Sequence, residues 1–200
     1  MTPGIDLADV QRLVREVAAS AINPHFRALE PAQIAEKSVG EVVTTVDRQA
    51  EHLLTQGLRA LTPQLPVLGE EAAAADPRLL DLLVPDATLW LVDPLDGTPA
   101  YVAGSPDHAV MVALVDRGQT VAAVIYQPQY DVMFTAERGR GAYVDGVRLW
   151  REPSARPLAA LRGGVLRRFL DQSTREAIDG AAYRFGDLTP GSTCAGSNTH

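Results

Sequence analysis

The stretch Trp90-Leu91-Val92-Asp93-Pro94-Leu95-Asp96-Gly97-Thr98 carries the strongest chemical signal in the chain. An apolar run delivers two carboxylates to its C-terminal end, and Gly97 and Thr98 follow at once. Two carboxylates at a strand end cannot both stay buried and unpaired, and a divalent cation resolves that conflict. Gly97 lets the backbone approach an oxyanion closely, and amides at a helix start can point at it. Pro99 suits the first turn of such a helix, with Thr98 as its N-cap. Asp-Pro and Asp-Gly are also ordinary turn pairs. For Asp96-Gly97 alone the turn is the better reading. For the whole string behind an apolar strand, a metal and phosphate site is.

Leu68-Gly69-Glu70-Glu71 repeats the theme of acids at the end of a short apolar strand. Alone it reads as a solvated acidic loop. If the two strands pair side by side, Glu70 lands near Asp93 and Asp96. Three convergent carboxylates present only oxygen, which suits Mg²⁺ better than Zn²⁺. A third group is Lys37, in a loop, with Glu41-Val42-Val43-Thr44-Thr45-Val46-Asp47. Asp47 serves equally well as a helix N-cap or as support beside a metal. The histidines His25, His52, His108 and His200 have no partners at metal-binding spacing. A Gly-x-Ser-x-Gly elbow, a P-loop and a Gly-x-Gly-x-x-Gly are all lacking, so a serine hydrolase and a P-loop fold have no support.

The elements that must position these groups are legible in the hydrophobic pattern. Asp6 caps a helix whose apolar face is Leu7, Val10, Val14, Val17, Ala18 and Ala21, closed by Pro24. A short strand at Val42 to Val46 precedes a second helix opened by Asp47, with Ala50, Leu53, Leu54, Leu58 and Leu61 facing inward and Pro63 ending it. Leu65 to Leu68, Thr88 to Val92, Ala109 to Val115, Val121 to Tyr126 and Val132 to Thr135 read as strands, with turn formers between the last three. Asp145-Gly146 marks a tight hairpin. The composition changes around Glu152 to Pro157. Beyond it, Leu158 to Val165 starts a new sheet, Arg167 to Ile178 reads as a helix and Ala182 to Phe185 as a strand. The organisation expected is therefore 1–152 as a metal- and phosphate-binding subdomain and 153–200 as a partial α/β subdomain.

Composition bounds the reading. The 200 residues are 46% hydrophobic and 22% charged, near the globular average. The net charge of -7 gives no general pull towards nucleic acid or an anionic membrane, and surplus carboxylates can collect cations. The single cysteine, Cys194, excludes an intrachain disulfide and a thiolate cage. The apolar runs are too short to span a bilayer and the N-terminus lacks a signal peptide pattern. The expectation is a soluble cytoplasmic protein with no membrane or nucleic-acid partner.

Taken together, these motifs resemble the inositol monophosphatase family of Mg²⁺-dependent phosphatases. Gly69-Glu70-Glu71 and Asp93-Pro94-Leu95-Asp96-Gly97-Thr98 are similar to its two N-terminal signatures, and Glu41 to Asp47 to its Asp-x-Val-Thr-x-x-Asp stretch, with Glu41 for Asp. Arg138 to Tyr143 with Asp145-Gly146 is similar to the ending of its first subdomain. The resemblance implies an α/β layered sandwich with a complete N-terminal and a truncated C-terminal subdomain, and a homodimer as the common assembly. It implies two or three Mg²⁺ ions, or Mn²⁺, held by Glu70, Asp93, Asp96 and the Leu95 carbonyl. Asp96, Gly97 and Thr98 would hold the phosphate of a small phosphorylated metabolite, and Glu70, Thr98 and Asp47 would orient the attacking water. Inositol monophosphate leads among the substrates implied, with histidinol phosphate and a 3′-phosphonucleotide as alternatives.

Two departures stand out. Pro99-Ala100-Tyr101 replaces the usual Asn-Phe, with Tyr101 able to supply the aromatic packing. The family's C-terminal Trp-Asp is also lacking, since neither Trp90 nor Trp150 precedes an Asp, and Gly191 to Gly196 looks like the approach to a strand and helix that do not follow. A weak second metal site and exposed apolar surface along Val121 to Tyr126 or Leu158 to Val165 are expected from this. Two other readings compete. A haloacid-dehalogenase-type phosphatase needs Asp-x-Asp where this chain has Asp-x-x-Asp, and a non-catalytic Mg²⁺ and phosphate-binding remnant fits the short C-terminus.

Overall fold

The computed structural model describes residues 5–38, 41–152, 155–165, 167 and 170–190. Cys194, His200 and the Gly191 to Gly196 stretch lie outside them. The chain divides into two compact units between Leu149 and Trp150.

The first unit is built in chain order from α1 (Leu7–Val17), β1 (Ile34–Ser38), β2 (Glu41–Thr44), α2 (Thr45–Leu61), β3 (Val67–Gly69), α3 (Glu70–Ala75), β4 (Thr88–Asp96), α4 (Thr98–Val102), β5 (Ala109–Asp116), β6 (Gln119–Gln127), β7 (Val132–Glu137), β8 (Gly141–Val144) and β9 (Val147–Leu149). The strands β3 to β9 form one seven-stranded sheet in sequence order. β3 pairs parallel with β4 and the other neighbours are antiparallel. β1 and β2 make a separate antiparallel hairpin, which places Lys37 in a strand rather than in the expected loop.

Helical spacing decides what covers the sheet. Val10, Val14 and Val17 on α1, and Val46, Ala50, Leu54 and Leu58 on α2, share one buried cluster with Trp90, Val92, Val110, Val112, Leu114 and Val124 of the central strands. Each buried Val or Leu of this cluster contributes about 1.5–3 kcal/mol by burial. Asp6 caps α1 as expected, accepting from the Ala8 N–H at 2.9 Å. The helix then widens through a π turn at Ala18–Ile22 and tightens at Asn23–His25, so Pro24 sits in the closing turn. The end of α2 is tied to the sheet by Trp90 Nε1, which donates to Thr62 Oγ1 at 2.8 Å.

The alternate residues of the central strands face away from this cluster and are apolar too. Met111, Ala123 and Ile125, with Leu80 and Leu83, line a groove of about 550 Å³ to which Glu70 and Asp93 also contribute. Of the expected exposed stretch, Ala123 and Ile125 therefore face the groove, whereas Val121 and Tyr126 are buried.

The second unit contains β10 (Arg162–Val165), α5 (Gln172–Ala181) and β11 (Asp187–Pro190), with β10 and β11 parallel. The helix begins at Gln172 rather than Arg167, because Asp171 caps it by accepting from the Thr174 N–H at 2.8 Å. The strand expected at Ala182 to Phe185 is instead a single 3₁₀ turn prolonging the helix, and the strand starts at Asp187. Among the described residues, no helix is long and apolar enough to cross a membrane.

Candidate active site

The parallel pairing of β3 and β4 brings the two acidic motifs together. Gly69 is opposite Val92, so Glu70, just past the end of β3, comes beside Asp93 of β4. Both carboxylates of the Asp-Pro-Leu-Asp motif lie within β4, not in a loop beyond it. The register slips between Asp93, opposite Met111, and Asp96, opposite Ala109, leaving one extra residue on β4. Such a bulge tolerates Pro94 and shifts the phase of the strand. Trp90, Val92 and then Leu95 join the helix-side core, which leaves Asp93 and Asp96 on the same opposite face.

Gly97 follows with φ 85° and ψ 30°, a left-handed conformation that favours glycine. Its carbonyl accepts from the Tyr101 N–H at 3.0 Å, so Gly97 caps α4, and Thr98, expected as the cap, lies in the first turn. Tyr101 supplies the aromatic packing expected of it. It is buried, stands edge-on to His108 with ring centres 4.9 Å apart, and donates its hydroxyl to the Ile22 carbonyl at 2.7 Å.

Asp47 does not cap α2. Thr44 does, and Asp47 sits three residues on as the return half of a capping box. Its Oδ2 accepts from the Thr44 N–H at 2.9 Å and from Thr44 Oγ1 at 2.5 Å. Its Oδ1 lies 2.8 Å from Thr98 Oγ1, which is also 2.9 Å from the Leu95 carbonyl. One hydroxyl proton serves one of these acceptors at a time, and the oxygen's lone pairs stay available to a further donor. Burial raises the Asp47 pKa, opposed by the hydrogen bonds from Thr44 and Thr98.

Asp93 is the most perturbed acid of the group. Burial first, then the charges of Glu70 and Asp96 and a hydrogen bond shared with Glu70, push it up to about 8, against a hydrogen bond from the Leu95 N–H. Lys37 Nζ donates to Glu70 Oε1 at 2.5 Å and to Glu71 Oε1 at 2.8 Å. Burial lowers the Lys37 pKa, but the two carboxylates outweigh it and the ammonium is held above its ordinary range.

The structure thus gathers Glu70, Asp93 and Asp96 at one end of β3 and β4, and joins Thr98 to Asp47 beside the Leu95 carbonyl. Among the described residues, no three His, Cys, Asp or Glu side chains stand as a ready metal-binding group. Glu70 turns instead to Lys37 and Asp93. The donor chemistry nevertheless fits a hard divalent cation, because crowded carboxyls that share a proton and recruit an ammonium are short of positive charge. Sequence reasoning gave no role to Lys37 and overlooked Glu51 and the cap at Thr44. Thr44-x-x-Asp47 is a readable capping signal, and Glu51 is one helical turn beyond Asp47 on the same face.

A family model described as the inositol monophosphatase family matches residues 6–178. The chain belongs to the inositol monophosphatase family. Among its relatives, "Nus factor SuhB" of Vibrio cholerae is 32% identical over 149 residues, covering 74% of this chain and 52% of the relative. The "3'(2'),5'-bisphosphate nucleotidase CysQ" of Escherichia coli K12 is 35% identical over 134 residues, covering 67% and 52%. The chain spans about half the length of these relatives. In structure it is similar to the extragenic suppressor protein suhB of Bartonella henselae, with a TM-score of 0.70 at 25% identity over 92% of this chain and 68% of that one. It is also similar to the Thermotoga maritima IMPase, with a TM-score of 0.68 at 25% identity over 92% and 67%. The layered α/β fold expected from the motifs is the fold of this family.

Proposed function

We propose that the chain hydrolyses a small phosphate monoester at the end of β4, with Mg²⁺ or Mn²⁺ as cofactor. The observation that carries this reading is the convergence of Glu70, Asp93 and Asp96 beside the left-handed Gly97 and the Thr98–Asp47 pair. Glu70, Asp93 and the Leu95 carbonyl would hold a first cation, and Asp93 with Asp96 a second. With the Thr98 proton on the side of Asp47, the Leu95 carbonyl has its lone pairs free for this purpose. When bound, such cations activate water and neutralise developing negative charge on the leaving oxygen. The protein's own part is positional. Gly97 and Thr98 receive the phosphate at the start of α4. Thr98, with its proton directed to Asp47, would offer a lone pair to the attacking water, which Glu70 would help to orient.

Inositol monophosphate and a 3′-phosphonucleotide stand level as substrates, the second because of the likeness to CysQ. Phosphate release from both, and from histidinol phosphate, with Mg²⁺ or with chelator, tests the reading. Glu70→Gln and Thr98→Ala should each lower turnover by about 10²-fold or more, the scale for a positioned proton-transfer group. Turnover equal to wild type in either variant shows that the water is held elsewhere.

A further inference from the structure

Glu51 is a buried acid to which the reading above gives no task. It is 7% exposed on the inner side of α2. Both of its oxygens are used on main chain: Oε2 accepts from the Glu71 N–H at 2.7 Å, and Oε1 from the Ala72 N–H at 2.8 Å. These amides open α3 and have no partner within the helix. α3 is only six residues long, too short to hold its own first turn. That turn begins with Glu70.

Gly69 bears on the same contact. Its φ of -95° is open to any residue, so backbone freedom does not explain the glycine. Space does: a Cβ there would lie 2.2 Å from the Glu51 carboxyl carbon and 2.3 and 2.6 Å from its oxygens. The glycine of Gly69-Glu70-Glu71 is a seat for the Glu51 carboxylate.

We propose that Glu51 is a positioning residue for Glu70: its carboxylate, seated on Gly69, clamps the first turn of α3 and sets the Glu70 side chain opposite Asp93. The inference rests on the reading of Glu70 as a cation ligand. A carboxylate suits the task because it offers an acceptor to each amide, whereas a carboxamide offers one acceptor and turns a donor against the other N–H. Burial raises the Glu51 pKa and the two amides oppose that rise, in keeping with a group held by main chain.

The test uses the full chain and two readouts, Mn²⁺ affinity by titration calorimetry and melting temperature without metal. Glu51→Gln should weaken Mn²⁺ binding about tenfold or more, the usual scale for a residue that orients a ligand. Gly69→Ala should melt lower than wild type. Adding Glu51→Asp to Gly69→Ala withdraws the carboxyl by one carbon–carbon bond, about 1.5 Å, and should raise the melting temperature above that of Gly69→Ala alone. The rescue shows that a Cβ at residue 69 and the Glu51 carboxyl compete for one space, and the loss of Mn²⁺ affinity in Glu51→Gln separates positioning of Glu70 from packing alone. Wild-type Mn²⁺ affinity in Glu51→Gln, or no rescue in the double variant, overturns the inference. If the wild-type chain takes up no Mn²⁺, the cation reading of Glu70 fails, and a lower metal-free melting temperature in Glu51→Gln still shows that the carboxylate holds the Glu71 and Ala72 amides.

Discussion

Asp93→Asn separates the cost of crowding carboxylates from the use made of them. In the metal-free protein Asp93 is raised from 3.8 to about 8. A carboxyl raised on folding stabilises the native state below its unfolded pKa, and that contribution is lost as pH rises through the folded value. Between pH 4 and 7 the native site holds a proton that the unfolded chain has given up, so metal-free stability should fall as pH rises. About three units lie between 3.8 and 7, worth about 4 kcal/mol at 1.36 kcal/mol per unit. Solvent screening of a partly exposed site reduces this to on the order of 2 kcal/mol. Asparagine matches the shape, carries no charge and still donates to Glu70. The metal-free variant should therefore be more stable than wild type by about 2 kcal/mol at pH 7, or about 4–8 °C in melting temperature for a chain of this size, with the gap closing towards pH 4. With Mg²⁺ the order should reverse. Wild type gains about 2.7 kcal/mol at a hundred times the dissociation constant, and the variant gains little. Urea unfolding at several pH values, with and without Mg²⁺, measures both. A variant less stable than wild type without metal, or one that keeps the full Mg²⁺ gain, refutes the reasoning.

Thr98→Ala removes a buried donor to Asp47 and should cost about 1–3 kcal/mol in urea unfolding as well as activity, while Thr98→Ser should retain most of both. His108 is held below its ordinary pKa by burial, and its Nε2 has no hydrogen-bond partner among the described residues. The unfolded chain takes a proton there below about pH 6.5, so stability should drop as pH falls beneath that value, and less steeply in His108→Phe, which keeps a ring against Tyr101 and Phe26. Leu54→Ala, in the centre of the α2 face, should cost about 2–5 kcal/mol, and a loss below 1 kcal/mol would contradict the packing described.

What was legible in the sequence follows from local physics. Val10, Val14 and Val17, and Ala50, Leu54 and Leu58, announced two helices because helical spacing leaves them on one face. Asp145 and Gly146, at φ 48° and 78°, form the hairpin turn that such a pair favours. Glu70 met Asp93 because two short apolar strands end in acids and pair in register. The bulge at Asp93 to Asp96 was not legible, since it depends on how β5 aligns with β4, and an unshifted strand would put the two acids on opposite faces. The contacts of Lys37 with Glu70 and of Glu51 with Glu71 join residues far apart in the chain, and neither is implied by local pattern. Beyond Leu149 the helix start moved by five residues, because Asp171 caps it more strongly than the apolar spacing marks it.

The central claim is that the carboxylates at the end of β3 and β4 serve cation-dependent phosphate ester hydrolysis. Phosphate release from inositol monophosphate and a 3′-phosphonucleotide, followed as Mg²⁺ is titrated into chelator-treated protein, tests it most directly. The account predicts release from at least one of them that rises with Mg²⁺ and is lost in Asp93→Asn. Release that is indifferent to chelator, or wild-type release in Asp93→Asn, or none from either ester at saturating Mg²⁺, would contradict it.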